Sequence, residues 1–295
     1  MAKTEETKET KEKKQKPIDL RFRCAVLYAN SEDHVIVSGS KNRYTDEIVY
    51  AKMKKDQGVV VRPKQSVVPI KAAINSCLAN GIYTFYIIAG KFEAEVKKVC
   101  DELISKYPED SMRIVYIADD TGSIDSAIVK GVKAALDEGF IEVFVMSGDT
   151  VIMKEVLGRL LDVPRHAMLV KSIRAVDIKR EAVAYGTGEA LVNGFWFNKD
   201  NATELPKELS DLVAYTSSDV FKIYATEDTK KLVDTFANEY AEKGAQNCKG
   251  YDLMTNIAYS QGIFPVFINA NYGLYNIRTF EDTERVKLFL KASLK

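Results

Sequence analysis

Histidine is almost missing from this chain: His34 and His166 are the only two among 295 residues. The four cysteines, Cys24, Cys77, Cys100 and Cys248, are scattered, and no pair has CxxC spacing. Together these shortages argue against a thiolate or imidazole metal site and against a histidine-dependent catalytic triad. Scattered thiols also fit a reducing compartment, so the cytoplasm is the expected location. Net charge is absent too, because 42 acidic residues balance 42 basic ones. No global field therefore draws the chain toward nucleic acid or a membrane surface. No apolar run approaches a membrane span, and the N-terminus lacks the apolar core of a signal peptide. No internal repeat is visible.

What is present is a globular composition, 46% hydrophobic, enough for one large core or two small ones. The first 16 residues are nearly all Lys, Glu and Thr, and Pro17 ends them. Residues 1–17 are expected to be a disordered charged tail, since such a segment has nothing to bury. Residues 23–28 and 35–38 read as strands separated by Asn30-Ser31-Glu32-Asp33. Residues 52–57 are polar and read as a loop or short helix. From residue 70 onward, strands and helices alternate: helix 70–79, strand 84–89, helix 92–105, strand 113–117, a helix around 127–136, strand 143–146, helix 154–161 and strand 167–170. That alternation predicts a mostly parallel sheet with right-handed crossovers. The rhythm then changes. Residues 182–197 read as an extended pair turning at Tyr185-Gly186-Thr187-Gly188. Helices are expected at 208–212, 229–242 and 281–291, and a strand at 264–269. One folding unit over 18–295 is expected, with halves of about 21–150 and 151–295.

The stretch 113–152 organises this pattern. It runs strand, turn, helix, strand and then the acidic tip Ser147-Gly148-Asp149-Thr150. In open α/β sheets the working groups sit just past the carboxyl ends of strands. Asp149 has that position, after a glycine that would let a ligand approach the backbone.

Four pieces in order resemble the nucleotidyltransferases of the nucleoside-diphosphate-sugar pyrophosphorylase and cytidylyltransferase type. They are Gly39-Ser40-Lys41-Asn42-Arg43 with Pro63-Lys64-Gln65, then Gly122-Ser123, then Gly148-Asp149, and last Asn276-Ile277-Arg278-Thr279 before Glu281-Asp282. In flavour they are most similar to methylerythritol-phosphate and ribitol-phosphate cytidylyltransferases. The resemblance covers 35–290. It implies a three-layer, mostly parallel Rossmann-like sheet with helices on both faces. It also implies Mg²⁺-dependent joining of CTP or UTP to a sugar or polyol phosphate, with release of pyrophosphate. The implied partners are that nucleoside triphosphate and a small phosphorylated sugar or alcohol, and a homo-oligomer is allowed.

Carried over residue by residue, Arg43, Lys64 and Arg278 would act on the phosphates. Gly39, Ser40, Gly122, Ser123 and Thr216 would bind the nucleotide, and Asp149 and Asn276 would hold the metal. The chemistry is coherent. Nucleotidyl transfer needs positive charge on the phosphates, a cation bridge and in-line positioning more than covalent help. Arginine offers a planar fork and lysine a point charge. Mg²⁺ prefers carboxylate, amide oxygen and water. Plainer readings stand beside these: Gly148-Asp149 as a turn, and Thr279 with Asp282 as helix caps.

The chain departs from the pattern where Lys41 replaces the second glycine, and the gap from Arg43 to Lys64 is long. A second register puts the phosphate loop at 30–34. A loop without its glycines is also what a catalytically inactive binding or assembly module carries, and that is the first rival. A glycosyltransferase using a nucleotide sugar is the second. It calls for a DxD-type pair after a strand, where only Asp119-Asp120 and the lone Asp149 are available.

Overall fold

A computed structural model describes residues 22–30, 42–57, 59–109, 111–172, 183–186, 191–197, 204–209, 213–244, 250–268 and 273–292. The charged tail, the strand expected at 35–38 and the turn residues Thr187 and Gly188 lie outside the described residues.

The chain enters through β1 (Arg23–Tyr28), a buried strand. Next come β2 (Ile48–Ala51), β3 (Lys54–Asp56), β4 (Val59–Arg62) and β5 (Gln65–Val67). β2 pairs with β5 and β3 with β4, both antiparallel. This two-tier arm corrects the loop or helix expected at 52–57: polar residues suit an arm with little core behind it. Helix α1 (Pro69–Leu78) begins on a proline, whose missing N–H costs nothing in a first turn. Then β6 (Thr84–Ile88), α2 (Glu93–Ile104), β7 (Arg113–Tyr116), α3 (Ile124–Asp137) and β8 (Glu142–Ser147) alternate as expected.

Beyond β8 lie β9 (Thr150–Ile152), the short α4 (Lys154–Gly158), β10 (Ala167–Ser172), β11 (Val183–Gly186) and β12 (Gly194–Trp196). A 3-10 turn covers Lys207–Leu209 at the start of the helix expected over 208–212, and residues 210–212 lie outside the described residues. The chain continues with β13 (Val213–Tyr224), α5 (Glu227–Lys243), α6 (Gly250–Gln261), β14 (Phe264–Phe267), β15 (Leu274–Asn276) and α7 (Phe280–Ala292). Neither β13 nor α6 was expected from the sequence.

The main sheet runs β12-β11-β13-β8-β1-β6-β7, with β10 and β14 attached beside β13. β8, β1, β6 and β7 are mutually parallel, so their carboxyl ends point the same way. β13 runs antiparallel against β8. Alternate residues of β1 face opposite layers. Val26 and Tyr28 pack with α3, α5 and α6 through Ala127, Val132, Val233 and Ile257. Ala25 and Leu27 pack with α1, α2 and α4 through Ile74, Cys77, Cys100 and Leu157. Burial on both faces explains why these strands read as unbroken apolar runs. Three thiols are buried here, Cys24 on one face and Cys77 and Cys100 on the other, and burial raises the pKa of each. No described helix is long and apolar enough to cross a membrane.

A polar network locks β10, β13, α5 and α6 together. His166 Nδ1 accepts from the Tyr224 N–H at 3.1 Å, so the proton sits on Nε2, which donates to Gln261 Oε1 at 3.0 Å. The Thr226 and Thr229 hydroxyls also donate to that oxygen. Burial holds the His166 pKa below its usual value, against the Gln261 bond, and Lys222 lowers it further. The folded state therefore resists protonation that the unfolded chain accepts. Stability should be full above about pH 6.5 and fall toward the lowered folded pKa, by up to about 1.4 kcal/mol per pH unit. Urea unfolding from pH 7.5 to 5 checks this. His166→Gln should flatten that part of the profile, and an unchanged slope would show that other groups set it.

Candidate active site

Two polar clusters form past the carboxyl ends of the parallel strands. The first gathers at β8, β9, β13 and β15. Asp149 follows β8, and its side chain is fully buried. Arg43 reaches it, Nε to Oδ2 at 3.0 Å, and is itself only 7% exposed. The pair is ionic by distance but not aligned as a hydrogen bond, so neither Asp149 oxygen receives one. A buried acceptor without a donor costs about 1–3 kcal/mol.

Arg43 is placed by a turn. Asp46 N–H donates to Asn42 O, and Tyr44 N–H to Asn42 Oδ1. Tyr44 is fully buried, edge-on to Phe92, and its carbonyl accepts from Ile70 at the start of α1. The Arg43 guanidinium lies 4.9 Å from the Tyr44 ring centroid and donates to its hydroxyl. Gly148 gives no open approach to a ligand: a Cβ there would meet Ala29 Cβ at 3.1 Å. Its smallness lets β1 and the acidic tip close together.

The second acid of this cluster, Asp219, was missed in the sequence. β13 pairs with β8 from Phe221 to Tyr224, and further back with β10 and β11 at Tyr215 and Thr216. The register shifts between these stretches, and Asp219 adopts φ +57° there. That left-handed conformation is rare for a residue with a Cβ, though aspartate tolerates it better than most. Arg278 ion-pairs with Asp219. Tyr28, at the end of β1, lies among these charges. Burial raises its phenol well above its usual pKa, Asp219 raises it further, Arg278 lowers it and Asp149 raises it.

The remaining expected residues fall as follows. Asn276 pairs with Thr150 across β15 and β9. Its Oδ1 accepts from the Thr150 hydroxyl at 2.9 Å, and its Nδ2 donates to Ser218 O at 3.0 Å. Its amide thus ties the acidic tip to the β13 bulge. Arg278 leads into α7, whose start is capped reciprocally. Thr279 N–H donates to Asp282 Oδ2 at 2.9 Å, and Asp282 N–H to Thr279 Oγ1 at 3.2 Å. Lys64 is on the arm, partly exposed, paired with Glu47 and apart from both acids. Lys64 and Ser66 hold the Glu47 carboxyl below its usual pKa. Thr216 sits on β13 between Lys171 and Val183. Gly39, Ser40 and residues 31–34 of the second register lie outside the described residues.

The second cluster forms at the ends of β1, β6 and β7. Asp119, fully buried in its side chain, accepts from Asn30 Nδ2 at 2.6 Å, Ser126 Oγ at 2.9 Å and Lys130 Nζ at 2.9 Å. Thr121 Oγ1 donates to it as well. Burial works to raise its pKa, but these bonds, Lys130's foremost, hold it below the usual carboxylate value. Gly122, at φ +66°, delivers Ser123 to cap α3, where Ser123 Oγ accepts from Ser126 N–H. A Cβ on Gly90 would stand 3.0 Å from Asp119 O and 3.2 Å from Asn30 Cβ, so a glycine lets these three loops meet. β8 and β7 are three strand spacings apart in the sheet order, about 14 Å, which sets the two arginine–aspartate pairs of the first cluster apart from the Asp119–Lys130 pair of the second.

No family model and no curated sequence matches the chain. Its structure does resemble solved nucleotidyltransferases. The inositol-1-phosphate CTP transferase from T. maritima superposes with a TM-score of 0.56 at 11% identity, covering 90% of this chain and 97% of that one. An apo UDP-glucose pyrophosphorylase superposes with a TM-score of 0.62 at 11% identity, covering 92% and 99%. At this identity the likeness shows a shared fold, the three-layer α/β fold expected from the motifs.

If the β13 bulge imposes the Asp219 conformation, glycine should be tolerated there better than alanine. Asp219→Gly is expected to be more stable than Asp219→Ala by about 1 kcal/mol. Chemical denaturation of both variants checks this; equal stabilities would mean that the backbone relaxes freely.

Proposed function

We propose that this chain transfers a nucleotidyl group from CTP or UTP to a sugar or polyol phosphate, releasing pyrophosphate. What carries the reading is the first cluster: two buried carboxylates and two arginines at the carboxyl ends of a nucleotidyltransferase-type sheet. Such a site can hold a cation and a polyphosphate together, which neither an all-acidic nor an all-basic site would do.

The donor set fits Mg²⁺. Asp149 Oδ1 is buried with no hydrogen-bond donor, and Asp219 supplies a second carboxylate close to the same phenol. Mg²⁺ commonly uses one or two carboxylates and takes its other oxygens from phosphates and water. Asp149 and Asp219 would hold it, and once bound it would offset charge on the triphosphate. Asn276 would orient the tip through Thr150 and Ser218. Arg43, now on Asp149, would turn its fork to the triphosphate, and Arg278 would steer the acceptor phosphate. An acceptor phosphate oxygen then attacks the α-phosphorus in line, the α–β phosphoanhydride bond breaks, and its electron pair leaves with pyrophosphate. Binding and alignment are the protein's work in this scheme.

One observation favours the rival reading of a non-catalytic module. Arg43 already neutralises Asp149, so the ligand-free site is closed upon itself. Pyrophosphate release, with four NTPs crossed against sugar and polyol phosphates, separates the two. Asp149→Asn and Arg43→Gln should each lower turnover by about 10²–10³-fold while remaining folded. No release from any pair, with Mn²⁺ binding unaffected by Asp149→Asn, would leave the module as the better account.

A further inference from the structure

We infer that Arg43 makes the acidic tip selective for a divalent cation that arrives with a polyphosphate, and shuts out the free cation. The inference rests on the nucleotidyl-transfer reading above and gives Arg43 a second duty within it. Arg43 Nε stands 3.0 Å from Asp149 Oδ2, with the arginine side chain 7% exposed and the aspartate sealed. A cation held at about 2.1 Å from that oxygen would lie within about 5 Å of Arg43 Nε. With so little water between them, the two positive charges repel strongly. Arg278 ion-pairs with Asp219 in the same cluster. These two acids and two arginines sum to zero charge, so together they offer a bare ion no net attraction. Mg²⁺ also gives up its water reluctantly, and one already neutralised carboxylate is a poor exchange for it.

The contact is one that a polyphosphate can exchange. Arg43 Nε and both Asp149 oxygens are buried without a hydrogen bond, so charge rather than a directed bond joins them. Arg43 has a separate anchor. Its Nη2 donates to the Tyr44 hydroxyl at 2.9 Å, and its guanidinium lies against the Tyr44 ring. Tyr44 is fully buried, its N–H donates to Asn42 Oδ1, and its carbonyl accepts from the Ile70 N–H. The fork can therefore turn while Tyr44 keeps its place. A triphosphate offers oxygens in the pairs that a guanidinium grips best. With the fork on phosphate, both Asp149 oxygens stand buried with no cation beside them, and a divalent ion then finds a full negative charge. Polyphosphate and cation each remove the obstacle to the other, which is positive coupling between two ligands of one site.

Mn²⁺ binding to the full chain without nucleotide tests this, read from the electron paramagnetic resonance of the free ion. Arg43→Gln should bind one Mn²⁺ at least tenfold more tightly than the parent chain, and Mn²⁺ alone should raise its melting temperature more than the parent's. Arg43→Lys keeps a positive charge over Asp149 and should bind the ion as weakly as the parent. Adding Asp149→Asn to Arg43→Gln should abolish the gain, which places the ion at the acidic tip. Equal Mn²⁺ affinity of the parent and Arg43→Gln would overturn the inference. Micromolar, Asp149-dependent Mn²⁺ binding by the parent without any polyphosphate would overturn it too, and that comparison needs no Arg43 variant to fold. If Mn²⁺ enters the parent with CTP and Arg43→Gln gains nothing alone, only the selective role of Arg43 falls. Mn²⁺ that binds neither to Arg43→Gln alone nor to the parent with CTP would bring down the nucleotidyl-transfer reading as well.

Discussion

Twelve residues of β13 cannot all pair with the six of β8, and the excess shapes this molecule. From Phe221 to Tyr224 the strand lies on β8, closing the parallel half of the sheet with an antiparallel neighbour. Its earlier part overshoots the carboxyl end of β8 and pairs with β11 instead, while β10 runs along both parts. Between the two parts its register against β10 shifts, around Asp219. The irregularity puts a carboxylate within electrostatic reach of the loop that carries Asp149. A β-bulge here aims a side chain, a use such irregularities often have next to functional sites.

Burying two carboxylates at one tip is costly unless cations accompany them. The chain supplies one arginine to each: Arg43 from the turn before the arm, and Arg278 from the start of α7. These four residues are distant in sequence, so the tip depends on the whole sheet being assembled. Elsewhere the same rule is met differently. Glu142 and Lys222, both nearly sealed from solvent, pair at 3.2 Å across β8 and β13, and Arg23 joins them from β1. The two ion networks sit at opposite ends of β8, one fastening the sheet and the other equipping it.

The parallel half was legible because its signals are local. Apolar runs of four to six residues alternate with helices ended by glycine or begun by Pro69 or Ser123, and each was read within about three residues of its bounds. Asp149 was legible as the residue after a strand. β13 was not, because Ser217-Ser218-Asp219 looks like a turn; the irregularity that positions the acid breaks the strand pattern. Asn30 and Asp119 each look like ordinary loop residues, and their pairing spans 89 positions, which no local pattern reveals. Pro63-Lys64-Gln65 stands out as a motif in the sequence, and what the sequence does not reveal is that Lys64 pairs with Glu47 along the arm.

The buried thiols have a practical consequence. Cys24 lies beneath the layer of α3, α5 and α6, whereas Cys77 and Cys100 belong to α1 and α2 on the opposite face. Each is shielded, and its proton is held tightly by burial, so alkylation must wait until the covering helix lifts. Each helical layer thus contains its own native chemical reporter. Mass-resolved thiol labelling can time the release of one layer independently of the other, with no cysteine engineered into the chain.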